Sequence, residues 1–163
     1  MKEDDSKTIK REMPHSHFLH ALLPISFIIV QILDSNIFLI SVWLNVFVPF
    51  VLRIILCIIT LALAITLIYL AHKALFPENG PSETLITRGI LNRVRNPMYS
   101  GIILIYIAFI LLSISIISII LFIFILLIYN KMVNYEENIL EELFGNEYLE
   151  YKKKVPKWIP RIF

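Results

Sequence analysis

The stretch LNRVRNPMYSG, residues 91–101, places two arginines and a proline directly before an apolar run. Asparagine is favoured at the N-cap of a helix and proline at its first position, while the residue before proline avoids helical geometry. The pattern therefore predicts a helix that begins at Pro97. The free N–H groups and dipole of a helix start attract anions, and Arg95 adds a full positive charge. The sequence thus predicts a carboxylate- or phosphate-sized binding site here.

The same arginines also suit a simpler role. Arg88, Arg93 and Arg95 are typical of basic loops that anchor membrane proteins at the cytosolic face. Composition alone favours this second interpretation, because it requires no ligand. The arginines by themselves therefore leave both interpretations open.

Composition identifies the environment of this helix. Hydrophobic residues make up 58% of the 163 positions, against roughly 45–50% in soluble domains. This excess predicts an integral membrane protein. The single cysteine, Cys57, excludes an internal disulfide and a Cys-x-x-Cys site, and the four glycines form no phosphate-binding loop. A soluble dinucleotide-binding fold is therefore not expected.

The apolar segments predict an all-α, polytopic membrane protein. A bilayer core requires a helix of about 20 apolar residues, and residues 54–71 come close to this length without interruption. Residues 18–33 form another candidate span. Residues 37–52 fit either a span or a re-entrant piece, because Asn45 and Pro49 interrupt their apolar pattern.

The last apolar block, residues 98–130, is too long for one span. At roughly 1.5 Å per residue, a single helix of this length would extend about 50 Å, well beyond a hydrocarbon core of about 30 Å. We therefore predict a tight hairpin of two short helices, which brings the total to about four spans. Three serines mark its middle: Ser113, Ser115 and Ser118.

Basic residues predict the orientation. Lysines and arginines flank both chain ends and the loop of residues 72–97, whereas the hairpin turn carries no charge. The positive-inside rule then places both termini and this loop in the cytosol. We predict one integral-membrane domain over residues 1–163. Its parts are a polar tail (1–17), the first spans (18–71), a cytosolic loop (72–97), the hairpin (98–130) and a cytosolic C-terminal segment (131–163).

The hairpin also predicts which residues meet. Antiparallel helices bring the end of the second helix beside the start of the first, so Glu136 and Glu137 should lie close to Arg95 and Asn96. Carboxylates beside a cationic helix start can hold a zwitterionic ligand. Alternatively, the glutamates simply begin a solvated amphipathic helix, where acidic residues are favoured. Helical spacing of four apolar residues predicts that cytosolic helix: Ile139, Leu140, Leu143 and Phe144.

Histidines near the N-terminus suggest a metal site at first sight. However, no carboxylate or cysteine completes the group of His15, His17 and His20 at a helix-compatible spacing. We therefore expect interfacial histidines and no metal. Tyr99 has an ordinary interpretation as an interfacial aromatic residue.

Two longer blocks carry a resemblance. The first is LITRGILNRVRNPMYSG (residues 85–101), and the second is EENILEELFGNEYLEYKKKVPKWIP (residues 136–160). They resemble L-V-T-x-G-x-Y-x-x-x-R-[HN]-P-x-Y-x-G and E-E-x-x-L…F-G-x-E-Y-x-x-Y…V-P-x-x-x-P. These patterns are typical of the integral-membrane methyltransferases that include isoprenylcysteine carboxyl methyltransferase and, more distantly, phospholipid N-methyltransferases. The blocks flank the predicted hairpin in the family's order.

The resemblance implies S-adenosyl-L-methionine (SAM) as cofactor and a lipophilic acceptor that enters from the bilayer. It further implies that Arg95 orients the cofactor or acceptor, and that Glu137 can take a proton from an amine acceptor. Carried over by position, the cofactor contacts are Leu85, Ile86, Asn96, Pro97, Met98, Tyr99 and Glu136.

The chain departs from the family pattern at three positions. Leu91 replaces an aromatic residue, and Asn96 replaces the histidine of the R-H-P version. Met132 stands where the eukaryotic prenylcysteine enzymes have an arginine linked to the substrate. The last departure argues against a strict prenylcysteine substrate.

We therefore expect methyl transfer to the carboxylate of a prenylcysteine-like or other small lipophilic molecule at the cytosolic interface. A phospholipid amine N-methyltransferase is the alternative within the same class. A nicotinamide-dependent sterol-type reductase would need a longer chain, and a non-catalytic membrane scaffold is the alternative outside enzymes. The expected partners are the lipophilic acceptor and membrane lipids, and not nucleic acid.

Overall fold

The structure is a computed structural model that describes residues 16–76 and 84–160. These ranges contain helices and turns and no strand, which confirms the all-α prediction. The described residues form five α-helices: α1 (Ser16–Ile32), α2 (Phe50–Leu75), α3 (Pro97–Ser113), α4 (Ile116–Phe144) and α5 (Asn146–Lys154).

The helices have the lengths and surfaces expected of membrane spans. Within the part of the chain that the structure describes, three stretches are long and apolar enough to cross a bilayer: Ser16–Phe38, Phe50–Leu75 and Ile116–Phe144. α3 is equally apolar but has 17 residues, or about 25 Å at 1.5 Å per residue. Large apolar side chains lie exposed along the bundle, such as Phe50 at 59% and Ile65 at 63%. Such continuous apolar surface is typical of contact with lipid tails.

Residues 37–52 contain no helix long enough to span. A π-helical turn over Leu33–Phe38 ends at Leu39, which has a left-handed φ of 53°. A short 3-10 turn follows at Trp43–Phe47, and α2 begins at Phe50 after Pro49. The interruptions seen in the sequence therefore mark an irregular connection between α1 and α2.

A buried polar cluster ties this connection to the turn between α3 and α4. Asp34 is 3% exposed, and its Oδ2 accepts hydrogen bonds of 2.5 Å from both Ser41 Oγ and Ser115 Oγ. Its Oδ1 accepts from the Ser41 N–H at 3.0 Å. Ser115 Oγ in turn accepts from the Ser118 N–H at 2.9 Å and caps α4. Because both carboxylate oxygens are bonded, the buried charge is tolerated.

The predicted hairpin is confirmed, with one correction to its second helix. α3 ends at Ser113, Ile114 has a left-handed φ of 42°, and α4 begins at Ile116. The correction is that α4 does not end near residue 130. It continues to Phe144, so the amphipathic helix predicted separately is its extension. The first residue that favours termination is Gly145, which has a φ of 52°.

Close packing of α3 against α2 depends on Gly101. A Cβ atom at this position would lie 2.5 Å from Ile68 Cγ1 and 3.0 Å from the Ala64 carbonyl oxygen. Small residues allow helix backbones to approach closely in membranes. Gly101 therefore sets the separation of the two helices just inside the predicted binding region.

We expect Gly101→Ala to destabilise the protein by about 1–3 kcal/mol, the usual range for overpacking a core. Helix propensity alone would predict a gain, because alanine is the better helix former. The measurement is thermal unfolding in detergent, with Gly101→Ala/Ile68→Ala as the matched control. Ile68→Ala removes the nearest obstructing atom, so the double variant should recover part of the loss. Unchanged or higher stability of Gly101→Ala would contradict the packing argument.

Candidate active site

The start of α3 lies where the sequence predicts, but Asn96 uses its side chain differently. Asn96 occupies the N-cap position before Pro97, yet its side chain makes no capping hydrogen bond. Instead, its Nδ2 donates to Glu137 Oε1 at 2.9 Å. Its backbone carbonyl accepts from the N–H and the Oγ of Ser100, both at 3.0 Å. The amide thus connects α3 to α4.

Arg95 and Glu137 form a buried ion pair. Arg95 Nε lies 3.1 Å from Glu137 Oε1, and Nη2 lies 3.4 Å from Oε2. The side chains are 9% and 3% exposed. The hairpin therefore returns Glu137 to Arg95 and Asn96, as the sequence predicts. Each charge neutralises the other, so Arg95 does not act as an isolated cation.

Arg95 also binds residues 152–158, which cross the start of α3; from here on, the C-terminal segment means these residues. Its Nη1 donates to the carbonyl oxygens of Lys152 at 2.6 Å and Val155 at 3.0 Å. Its backbone N–H donates to the Pro156 carbonyl at 2.9 Å. Ser100 Oγ adds a bond of 2.7 Å to the Trp158 carbonyl. No residue pattern predicts this docking, because its hydrogen-bond acceptors are backbone carbonyls.

Lys157 joins the same segment to α4. Its Nζ donates to Asn130 Oδ1 at 2.8 Å and to Asn134 Oδ1 at 2.6 Å. Burial lowers the pKa of this lysine, although the Glu137 carboxylate opposes the shift. Residues at the start of α3 and residues of α4 therefore both hold the C-terminal segment.

Helix α5 contributes two tyrosines, Tyr148 and Tyr151, to this region. Tyr151 donates its hydroxyl to the Leu91 carbonyl at 2.6 Å. Burial raises the pKa of Tyr151 to about 12. Burial, with a smaller contribution from Glu137, also raises the pKa of Tyr148. Both phenols are therefore neutral at physiological pH and act as packing and hydrogen-bonding groups.

Glu136 points to a different environment from Glu137. Tyr99 donates its hydroxyl to Glu136 Oε1 at 2.5 Å, and both residues line a cavity of about 290 Å³. We call this the polar cavity. Its remaining lining combines residues at the start of α3 with His20 of α1 and with apolar side chains from α3, from α4 and from the end of α2. These residues are His20, Leu75, Phe76, Arg95, Asn96, Pro97, Met98, Ile102 and Leu140.

The predicted cofactor contacts divide between two neighbouring cavities. Asn96, Pro97, Met98, Tyr99 and Glu136 line the polar cavity. The other two, Leu85 and Ile86, line a smaller cavity of about 150 Å³. Three side chains form a wall common to both cavities: Leu75, Arg95 and Leu140. Glu137 lies behind Arg95 and Asn96.

A third cavity of about 480 Å³ adjoins the polar cavity and extends into the bundle between α1 and α3. We call it the apolar cavity. The two cavities share His20, Met98 and Ile102. The ring of His20 stacks against Tyr129 at 5.9 Å and lies 5.5 Å from Tyr99. Its place at the junction was not foreseen, because a histidine near a span end has no distinctive pattern.

Two of the three positions that depart from the family pattern are buried. Leu91 is 4% exposed and lines the smaller cavity, and Met132 is fully buried in the core between α1, α3 and α4. Residues 16–76 and 84–160 contain no group of three or more histidine, cysteine or acidic side chains that could hold a metal. His15 lies outside the described residues.

Comparison with known proteins identifies the family. The phospholipid methyltransferase family matches residues 37–147, which is most of the chain, and the protein belongs to this family. A stretch of 77 residues, 47% of the chain, is 31% identical to Protein-S-isoprenylcysteine O-methyltransferase B of Arabidopsis thaliana. The match covers 39% of that protein's length. Most residues of the polar cavity fall within the family match.

We expect Glu137→Gln to destabilise the protein by about 3–5 kcal/mol, because it leaves the Arg95 charge buried without its partner. The C-terminal segment should also loosen, since Arg95 holds it. Thermal unfolding measures the loss of stability. Hydrogen exchange over residues 152–158 measures the loosening of the C-terminal segment.

The matched control for this variant is Glu150→Gln. Glu150 pairs with Lys153 on the surface, where the two side chains are 57% and 72% exposed, so its loss should have little effect. Equal effects of the two substitutions would contradict a structural role for the buried pair.

Proposed function

We propose that the protein transfers a methyl group from SAM to a lipophilic acceptor at the cytosolic membrane face. The observation that carries this proposal is the junction of the polar and apolar cavities at His20, Met98 and Ile102. A charged methyl donor and a lipid acceptor need unlike environments that meet at one point. The distribution of basic residues supports a cytosolic position for this end of the bundle.

The chemistry of the polar cavity fits SAM. The Glu136 carboxylate can accept hydrogen bonds from an ammonium group or ribose hydroxyls, and the start of α3 favours a carboxylate. Leu75 and Leu140 supply apolar surface for the adenine ring. The polar cavity and the smaller cavity share a wall. Their combined volume falls within the roughly 300–1,000 Å³ typical of small-molecule sites.

The protein's contribution to methyl transfer is positioning and exclusion of water. SAM supplies a sulfonium methyl group that passes to the acceptor's nucleophilic atom, and the electron pair of the broken bond stays on sulfur. Correct placement of two reactants can lower a barrier by about 7–11 kcal/mol. Met98 and Ile102 lie at the cavity junction, where their side chains can exclude water from the reacting atoms.

Arg95 and Glu137 have a positioning role in this proposal. Glu137 accepts from Arg95 and Asn96, and Lys152 Nζ lies 3.9 Å from its Oε2. Both carboxylate oxygens of Glu137 therefore bond to neighbouring side chains, and Glu137 does not line the polar cavity. We therefore assign the pair a positioning role in place of the direct catalytic roles that the resemblance implies. The pair holds Asn96 at the cavity and the C-terminal segment across α3.

A carboxylate acceptor fits this site best, because it is nucleophilic without losing a proton. The family match supports a second candidate, an amine phospholipid, which would have to be deprotonated first. His20 lies at the cavity junction and is a residue type that can accept a proton near neutral pH. It is the group we assign as base for an amine acceptor.

We expect Glu136→Gln and Asn96→Ala each to weaken SAM binding at least tenfold, because the first removes a negative charge from the polar cavity and the second removes an amide group from it. Isothermal titration calorimetry on the purified protein measures the affinity. Glu142→Gln is the matched control, since Glu142 is exposed on the same helix. Wild-type protein that does not bind SAM would refute the methyltransferase proposal. SAM binding that is unchanged in both the Glu136→Gln and the Asn96→Ala proteins would refute only the assignment of the binding site.

The acceptor class can be identified from the stability of the product. We expect methyl-labelled SAM to label a farnesylcysteine analogue as a methyl ester, which mild alkali hydrolyses with release of labelled methanol. An N-methylated phospholipid would keep its label under the same treatment. Parallel reactions with the analogue and with an amine phospholipid therefore distinguish the candidates. Alkali-stable label in the phospholipid alone would refute the carboxylate assignment.

A further inference from the structure

Arg53 is an unusual residue for its position. It is the fourth residue of α2, and the next charged residue along this apolar helix is Lys73. Its Nη1 donates to Asn45 Oδ1 at 2.6 Å and to the Leu112 carbonyl at 2.9 Å. Within residues 16–76 and 84–160, no carboxylate pairs with it. Cations inside membrane segments are energetically unfavourable and mark functional sites.

Arg53 lines a cavity of about 540 Å³ at the end of the bundle opposite the candidate active site. The cavity lies among the last turns of α1 and α3 and the first turn of α2, and we call it the Arg53 cavity. Ser113, at the end of α3, contributes to it, whereas Asn96 and Pro97 line the polar cavity. The 17 residues of α3 separate the two sites by about 25 Å.

The side chains around Arg53 form a polar group without an acid. Gln31, Ser35, Asn36, Asn45 and Ser113 also line the cavity, and its lining contains no aspartate or glutamate. Asp34 is adjacent in sequence, but both of its oxygens bond to Ser41 and Ser115. Arg53 therefore carries the one formal charge in the lining of this cavity.

Four polar atoms at this cavity have no hydrogen-bond partner within the described part of the chain. They are Gln31 Oε1, Ser35 Oγ, Arg53 Nε and Ser113 Oγ, and only one further buried side-chain atom there shares this property. Gln31 and Ser113 are each 8% exposed. An unsatisfied buried polar atom costs about 1–3 kcal/mol, so native proteins rarely leave several together. Their concentration at one cavity points to a bound ligand.

The unpaired atoms define the ligand's chemistry. Arg53 Nε and the two serine hydroxyls can donate, which suits anionic oxygens. Gln31 Nε2 already donates to the Phe109 carbonyl at 2.5 Å, so Gln31 Oε1 remains to accept from a hydroxyl. The ligand therefore carries both a charged acceptor group and a hydroxyl donor.

The apolar part of the lining indicates that the ligand is a lipid. Phe27, Phe109 and Leu112 form the inner wall. Ile28, Ile32 and Phe50 line the same cavity and are 44–59% exposed on the surface that faces the bilayer. A hydrocarbon chain could pass between these residues into the membrane, whereas a free ion would leave this apolar surface unused.

We propose that the Arg53 cavity binds the headgroup of an anionic phospholipid that carries a hydroxyl, in the leaflet opposite the candidate active site. The phosphate accepts from Arg53, Ser35 and Ser113, and the hydroxyl donates to Gln31. The acyl chain leaves the cavity beside Ile28. Its polar groups lie at the opposite end of α3 from the polar cavity, although Phe27, Ile28 and Phe109 line both the Arg53 cavity and the apolar cavity. The proposal does not depend on methyl transfer.

Native mass spectrometry of the full chain in detergent tests this proposal. The probes are dioctanoyl phosphatidylglycerol, dioctanoyl phosphatidylcholine and inorganic phosphate. We expect phosphatidylglycerol to bind at least tenfold more tightly than phosphatidylcholine, and phosphate alone to bind at least tenfold more weakly than phosphatidylglycerol. Arg53→Gln should abolish the preference. Arg93→Gln is the matched control, because Arg93 is an exposed arginine before α3 and should leave the preference intact.

A second variant separates lost binding from lost folding. Ser113→Ala removes a hydroxyl that bonds to no described residue, so lipid-free protein should keep its stability. Its affinity for phosphatidylglycerol should nevertheless fall at least threefold. Equal binding of both lipids, phosphate binding as tight as that of phosphatidylglycerol, or unchanged affinity in folded Arg53→Gln and Ser113→Ala proteins would each overturn the proposal.

Discussion

The buried ion pair of Arg95 and Glu137 is the interaction on which the candidate active site depends. A guanidinium that is 9% exposed needs an acceptor for nearly every N–H, because water no longer supplies one. Glu137 provides the balancing charge, and the carbonyls of Lys152 and Val155 accept the remaining hydrogen bonds. One side chain thus joins the start of α3, the last third of α4 and the C-terminal segment. The walls of the polar cavity are fixed by the same contacts.

The adjacent glutamates of α4 show how helix geometry separates two functions. Successive residues on a helix point about 100° apart, so Glu136 and Glu137 cannot face the same neighbour. Glu137 turns inward to Arg95 and is 2% exposed. Glu136 instead meets Tyr99 at the polar cavity. The first carboxylate can therefore serve a ligand while the second stabilises the fold, and exchanging their roles would require rotating α4.

Short-range sequence patterns explain the features that could be predicted, namely the start of α3 and the hairpin. Asn96-Pro97 determines a helix start, and the length of the apolar block requires a hairpin, which returns the glutamates to Arg95. The docking of the C-terminal segment escaped prediction because its acceptors are backbone carbonyls. The Asn96 side chain departed from its expected capping role because a bond to the charged Glu137 is stronger than one to a backbone N–H. Likewise, no periodicity indicates that residues 31–53 close a cavity around Arg53.

The length of α3 relates the polar sites at its two ends. Its 17 residues span about 25 Å, less than a hydrocarbon core of about 30 Å. A helix shorter than the core draws the headgroup regions inward or places its polar flanks within the core. Arg95 and Asn96 before α3 and Ser113 at its end then lie at the depth where headgroups meet acyl chains. A ligand with one charged and one apolar part can therefore reach either cavity from the bilayer without its charge crossing the membrane interior.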